Sequence, residues 1–180
     1  MKRTKWIDRT FSFDIPEGWI FNILERLNGT CARINEMTRN LTDDEASFRP
    51  TGKWSIKEHI GHLSDLEFLH LQRLEDFGAR KEILSAADMG NAKTLEANHN
   101  EKDLTMLISD FSVVRSDLIK RFENMNDETM HFKSLHPRLK VMVKPVDIAF
   151  FIAEHDDHHL ADIREILNLG IKLKPLQNTF

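Results

Sequence analysis

Three histidines, His155, His158 and His159, fall within the segment "FFIAEHDDHHLADIREIL", Phe150 to Leu167. His155 and His159 are four residues apart, the spacing that puts two imidazoles on one helix face and lets both reach one metal ion. At about 100° per residue, both fall inside the apolar stripe of Ile148, Ile152, Ile163 and Ile166. One inward histidine is ordinarily a satisfied core residue. Two neighbouring ones, each costly to bury, favour metal binding over two independent core histidines. His158 falls on the edge of the stripe and is expected as a surface residue or a pocket neighbour. Asp162, three residues after His159 and inside the stripe, is a candidate to orient an imidazole through its second N–H. Asp156 and Asp157 are expected in solvent. The glutamate that follows the first histidine of the zinc-peptidase motif is absent from "HDDHH", which argues against a general-base peptidase.

A metal needs at least a third ligand. The segment "WSIKEHIGHLSDLEFLH" offers His59, His62 and His70. On its helical wheel the apolar arc is centred near His59 and His70, with His62 off its middle. Periodicity leaves His59 and His62 both open and mildly prefers His59. Asp65, three residues after His62, reads as a helix-surface charge. His99 and His131 read as exposed or locally bonded. His136, in the loop "HPRL", is a candidate to approach the open end of the helices that carry the other histidines.

These side chains need helices to position them. "IPEGW" opens a first helix, with Pro16 and Glu17 near its start. Trp19, Ile20, Ile23, Leu24, Leu27, Ile34, Met37 and Leu41 follow at helical spacing, weakened only by Gly29. "TDDEASFRPTGKW" is a break. Ser55 as N-cap with Glu58 three residues on predicts a second helix from about Ser55 to Phe77. "GARKEILSAADMGNAKTL" is a polar connection with room for a short helix. A third helix is expected over Glu101–Met125 and a short extended segment over Leu139–Val143. The fourth helix is expected from about Val146 to Asn168, with Gly170 as its stop. Residues 1–16 read as an irregular arm and 171–180 as an irregular tail. Four long amphipathic patterns, with little strand signal and no repeat, predict an all-α four-helix bundle in a single domain, 1–180.

Bulk properties narrow the function classes. The chain has 180 residues, 41% hydrophobic and 30% charged, which suits a globular domain with a real core. A net charge of -4 and scattered lysines and arginines give no basic stripe for nucleic acid. No apolar run approaches the roughly 20 residues of a membrane span. The basic N-terminus lacks the apolar region of a signal peptide. The single cysteine, Cys31, forms no intramolecular disulfide and reads as a buried structural residue. A cytoplasmic protein is expected.

Two motifs together resemble the DinB superfamily, the DinB/YfiT-like metal-dependent proteins. One is "FRPTGKWSIKEHIGHLSDLE", Phe48–Glu67, where a tryptophan opens a helix and His-Leu-x-Asp follows. The other is the His-x-x-x-His of "AEHDDHHLADI", Ala153–Ile163. The arm "KWIDRTFSFDIPEGW" and the segment "SLHPRL" are similar to one branch of that family, so the resemblance spans nearly the whole chain. It implies a four-helix bundle in up-down-down-up order with a long crossover. It implies a divalent metal, zinc or nickel, on three histidines: His62, because it precedes Leu-x-Asp, with His155 and His159. His59 then becomes a neighbour able to compete with His62. The resemblance further implies a small-molecule substrate, hydrolase or thiol-transferase chemistry with a low-molecular-weight thiol such as bacillithiol or mycothiol, and a homodimer. Arg138, in "HPRL", is a candidate cation for a substrate carboxylate, although a plain exposed arginine is the favoured reading. Two other readings stay open: a metal-binding protein without catalysis, and a structural or small-ligand-binding bundle with merely buried histidines.

Overall fold

A computed structural model describes residues 3–173, with side chains as far as residue 169. Its helices in chain order are α1 (Ile20–Thr38), α2 (Asp43–Ser47), α3 (Ile56–Gly78), α4 (Ala92–Glu96), α5 (Leu104–Glu123), α6 (Asp127–Met130) and α7 (Pro145–Leu173). Two short strands, β1 (Ser134–Leu135) and β2 (Met142–Val143), pair antiparallel between α6 and α7. The molecule is mostly helical, and the four long helices pack in the ring α1, α5, α3, α7.

Local chemistry sets the boundaries. A 3-10 turn over Glu17–Trp19 delivers the chain into α1, so Trp19 stays exposed while Ile20, Ile23, Leu24, Leu27 and Ile34 turn inward. Ser55 caps α3 as expected: its hydroxyl accepts the Glu58 N–H, and the Glu58 carboxylate accepts the Ser55 N–H at 2.9 Å. A second box, Thr42 with Glu45, builds α2 inside the predicted break. Asp103 caps α5, so Glu101 lies in a separate 3-10 turn and the helix starts later than the periodicity suggested. Pro145 is the first residue of α7, where its missing N–H costs nothing. Gly170 does not end that helix, which continues to Leu173. A glycine inside a helix costs only about 1 kcal/mol, so it permits a stop without enforcing one. The predicted tail from residue 174 onward lies outside the described residues.

Two apolar clusters fill the ring. One joins Leu24 and Leu27 of α1, Leu74 and Phe77 of α3, Leu118 and Phe122 of α5, and Ile148 and Ile152 of α7. The other joins Ile34, Ile56, Ile60, Leu104, Phe111, Leu160 and Ile163. Between them lies a buried ionic knot. Arg115 donates to Glu67 Oε1 through Nε at 3.0 Å and Nη2 at 2.6 Å, and to both oxygens of Asp156. Thr30 adds its hydroxyl to Asp156 at 2.7 Å. Asp156 is therefore not the solvated charge that the sequence suggested; it is 1% exposed. Asp157, one residue on, pairs with Arg26 and Arg33 at the surface of α1.

The arm and the α3–α5 connection both return to the bundle. Residues 3–16 hold one 3-10 turn, Trp6–Asp8, and are otherwise irregular. Arg3 pairs with Asp162 and Arg9 with Glu154, while Asp147 Oδ1 accepts the Asp14 and Ile15 N–H groups at 2.9 Å. The arm is thus laid along α7. The connection carries α4 and a 3-10 turn over His99–Glu101 and packs back on α3. Gly61 of α3 makes that packing possible. A Cβ there would stand 2.3 Å from the His99 ring. Gly61→Ala is expected to cost about 1–3 kcal/mol in urea unfolding, because the ring cannot stay where it is. An unchanged midpoint would show that the connection is not held at this point.

Candidate metal centre

Two helices supply the imidazoles. His59 and His62 lie one turn apart near the start of α3, and His155 and His159 one turn apart on α7. Because α3 and α7 are neighbours in the ring, the two pairs meet. One nitrogen from each of His62, His155 and His159 lies within 4.8 Å of the others. Nε2 of His155 and Nε2 of His159 are 3.1 Å apart. A second group, His59, His159 and Asp162, meets the same distance limit. Its carboxylate is already engaged by Arg3 and lies 3.4 Å from His158 Nε2. The all-nitrogen group is the better fit to a borderline divalent cation.

The second nitrogens of these rings fix their orientation. Nδ1 of His62 is 3.0 Å from the Thr94 hydroxyl, which donates to Asp65 Oδ2 at 3.0 Å. The hydroxyl therefore accepts from His62 Nδ1–H, which leaves the Nε2 lone pair free. Nδ1 of His159 is 2.8 Å from Nδ1 of His59. A proton on that His159 nitrogen likewise frees His159 Nε2 toward His155. Burial pushes His62 and His59 down to about 4, and pushes His155 and His159 well below the usual histidine range. All four are neutral at physiological pH, the state a metal ligand requires.

Two tryptophans close over the cluster. The Trp54 ring lies 4.8 Å from His62 and is stacked 6.1 Å from His159. Trp6, brought by the arm, lies 4.9 Å from His155 and 5.7 Å from His158. Beside them is a cavity of about 510 Å³, the size of a small-molecule site. His62, His155 and His159 line it, as do His158, His70, His136 and Arg138.

The structure therefore brings together most of the residues marked in the sequence. His59 sits behind His159, on the side away from His155. Asp162 ties the arm to α7 and reaches His158. His136 and Arg138 reach the cavity from the β1–β2 turn. Cys31 is half-buried, and burial raises its thiol pKa. His131 is exposed and bonded to its own helix carbonyl, as expected. Two readings change. Asp65 is no plain surface charge: it accepts the Thr94 hydroxyl and lies 2.9 Å from His99 Nε2. His99 is buried against α3 rather than exposed. Thr94, Trp6 and Arg73 were not marked at all. Thr94 is one polar residue in a polar connection, so no local pattern signals it. Trp6 had a signal, a large aromatic in a charged arm.

A family model described as the DinB superfamily matches residues 26–163. Among solved structures, YfiT from Bacillus subtilis is similar at a TM-score of 0.72 and 15% identity, over 88% of this chain and 91% of that one. It is described as "a probable metal-dependent hydrolase with an unusual four-helix bundle topology". A mycothiol-dependent maleylpyruvate isomerase is similar at a TM-score of 0.66 and 10% identity, over 85% of this chain and 63% of that one. At such identities the likeness is one of fold. No curated protein matches the chain.

Proposed function

The chain belongs to the DinB superfamily, and from that premise we propose that it is a metal-dependent enzyme acting on a small molecule. The ligands are His62, His155 and His159. One observation carries the reading: three neutral imidazoles converge within 4.8 Å on the wall of a cavity. A purely structural site would be closed by a fourth side chain and would not need the cavity. The fold likeness to YfiT and to the isomerase supports a hydrolase or a transferase using a low-molecular-weight thiol.

A divalent ion, zinc or nickel, on three imidazoles would supply Lewis acidity and lower the pKa of a water or thiol placed at its open position. The chain's own residues do the rest. His62 is held by Thr94 and Asp65, and His159 by His59. Trp54 and Trp6 cover the imidazoles and exclude water. His158, partnered by Asp162, lines the same cavity and is placed to exchange a proton with substrate.

The reading also takes the chain as one cytoplasmic domain and a homodimer, with helices running up, down, down, up. The membership of the two apolar clusters supports that order: the first half of α1 and of α7 meets the last half of α3 and α5. No helix among the described residues is long and apolar enough to cross a membrane.

The test is the metal content of untagged protein, followed by assays of activated-ester hydrolysis and thiol conjugation before and after chelation. About one zinc or nickel per chain, with turnover lost on chelation and restored on reloading, is expected. No uptake after reconstitution with zinc, nickel or manganese would refute the reading. Thr94→Val tests the support of His62. It leaves a buried N–H without an acceptor and should weaken metal affinity 10- to 100-fold, on the order found for such outer partners. An unchanged affinity would remove Thr94 from the site.

A further inference from the structure

Besides the histidine cluster, the cavity wall carries two guanidinium groups that no carboxylate contacts among the described residues. Arg73 and Arg138 both line it, and neither forms a salt bridge among the described residues; Asp76 attracts Arg73 without contact, and Asp88 is the carboxylate in the lining. Arg73 is only 3% exposed. Its Nε is held by the Ser85 carbonyl at 3.0 Å, which leaves both terminal nitrogens uncommitted. Arg138 lies over the Phe151 ring at 5.7 Å. Burial holds Arg73 down to about 10 and lowers Arg138 as well, and both remain cationic. A buried guanidinium without a carboxylate in contact is costly, and an anion joining it lowers that cost.

His136 adds a donor. The β1–β2 hairpin holds its turn: the His136 N–H bonds the Val141 carbonyl at 2.9 Å, and the Lys140 N–H bonds the His136 carbonyl at 2.9 Å. His136 Nδ1 accepts the Leu139 N–H at 3.2 Å, so the ring proton sits on Nε2. That Nε2 is buried in the cavity wall and has no hydrogen-bond partner. An N–H donor without a partner and two guanidinium groups with uncommitted terminal nitrogens thus border one cavity.

We infer that this wall is a carboxylate-binding subsite, in which Arg73, Arg138 and His136 hold the acid group of a small substrate whose reacting end lies at the three-histidine cluster. The inference deepens the proposed function and rests on it for the reacting end. The free edge of Arg73, a pair of terminal N–H groups in one plane, matches a two-oxygen carboxylate. Leu66, Leu69 and Phe151 add apolar lining to the same cavity. The substrate class is therefore a short organic acid with an apolar body.

Calorimetric titration with 3-phenylpropionate tests this, with 3-phenylpropionamide as the neutral match. Both would be titrated into chelator-treated and zinc-loaded protein. The acid is expected to bind both forms at least tenfold more tightly than the amide. Arg138→Gln, at a partly exposed position that a stable fold tolerates, should remove at least tenfold of that preference without changing metal content. Arg73→Gln should do the same if it folds. Equal binding of acid and amide, or full preference in folded Arg138→Gln, overturns the subsite. If the protein takes up no metal yet shows the arginine-dependent preference, the subsite stands and the metalloenzyme reading falls.

Discussion

Replacing His155 and His159 together by alanine should abolish metal binding while leaving the fold intact. The two residues supply two of the three imidazoles, and their nitrogens are 3.1 Å apart on one helix face. His62 alone is a single monodentate ligand and cannot compete with a chelator. The loss should appear twice. Metal content should fall from about one ion per chain to near none. The second readout is thermal. At a hundredfold excess of free metal over its dissociation constant, binding adds about 2.7 kcal/mol to the wild-type protein. The variant should gain nothing. In the metal-free state it should unfold no earlier than the wild type by more than the cost of two truncations, because burying two neutral imidazoles side by side contributes little by itself. A variant that keeps its metal would refute the site, because both histidine groups able to hold an ion include His159.

Arg115→Ala carries the largest expected effect on stability. It leaves Glu67, 0% exposed, and Asp156, 1% exposed, without their shared cation. Breaking such a buried pair costs roughly 3–5 kcal/mol, a large part of the 5–15 kcal/mol that holds a typical domain together. Glu67 would answer by taking up a proton. Burial already pushes Glu67 up to about 6, even with Arg115 beside it. Without Arg115 its folded-state value rises further, so the folded chain binds more protons than the unfolded one. Stability then falls as pH rises. Urea unfolding should show the deficit in full near pH 8 and part of it recovered near pH 5. Replacing all three residues together, Arg115→Met with Glu67→Leu and Asp156→Leu, should be close to neutral. A loss under about 1 kcal/mol in Arg115→Ala would mean that the knot is hydrated and structurally dispensable.

The helices were legible because their signals are local. Ser55 and Glu58 mark the start of α3 within one residue. The alternation of Ile148, Ile152, Ile163 and Ile166 fixes which face of α7 is inward, and with it the direction of His155 and His159. The third imidazole was not legible from periodicity, which preferred His59. His59 and His62 both face α7, and their difference lies in what stands behind each ring: Thr94 behind His62, and His159 itself beside His59. Thr94 is 32 residues from His62 and belongs to another element. The same holds for Asp156. A wheel places it beside the apolar stripe but cannot show an arginine 41 residues away waiting for it. Single-helix patterns report faces. Partners across helices need the packing.

The arm has a kinetic consequence. Arg3 meets Asp162 and Arg9 meets Glu154, contacts 159 and 145 residues apart in sequence. Closing so large a loop is slow, and such contacts form only after shorter ones have shaped the chain. During synthesis the arm emerges well before α7 and must wait for it. The cavity, which Trp6 of the arm lines, will therefore mature late. Until then its imidazoles and arginines stand open to solvent, and metal can enter before Trp6 closes over them.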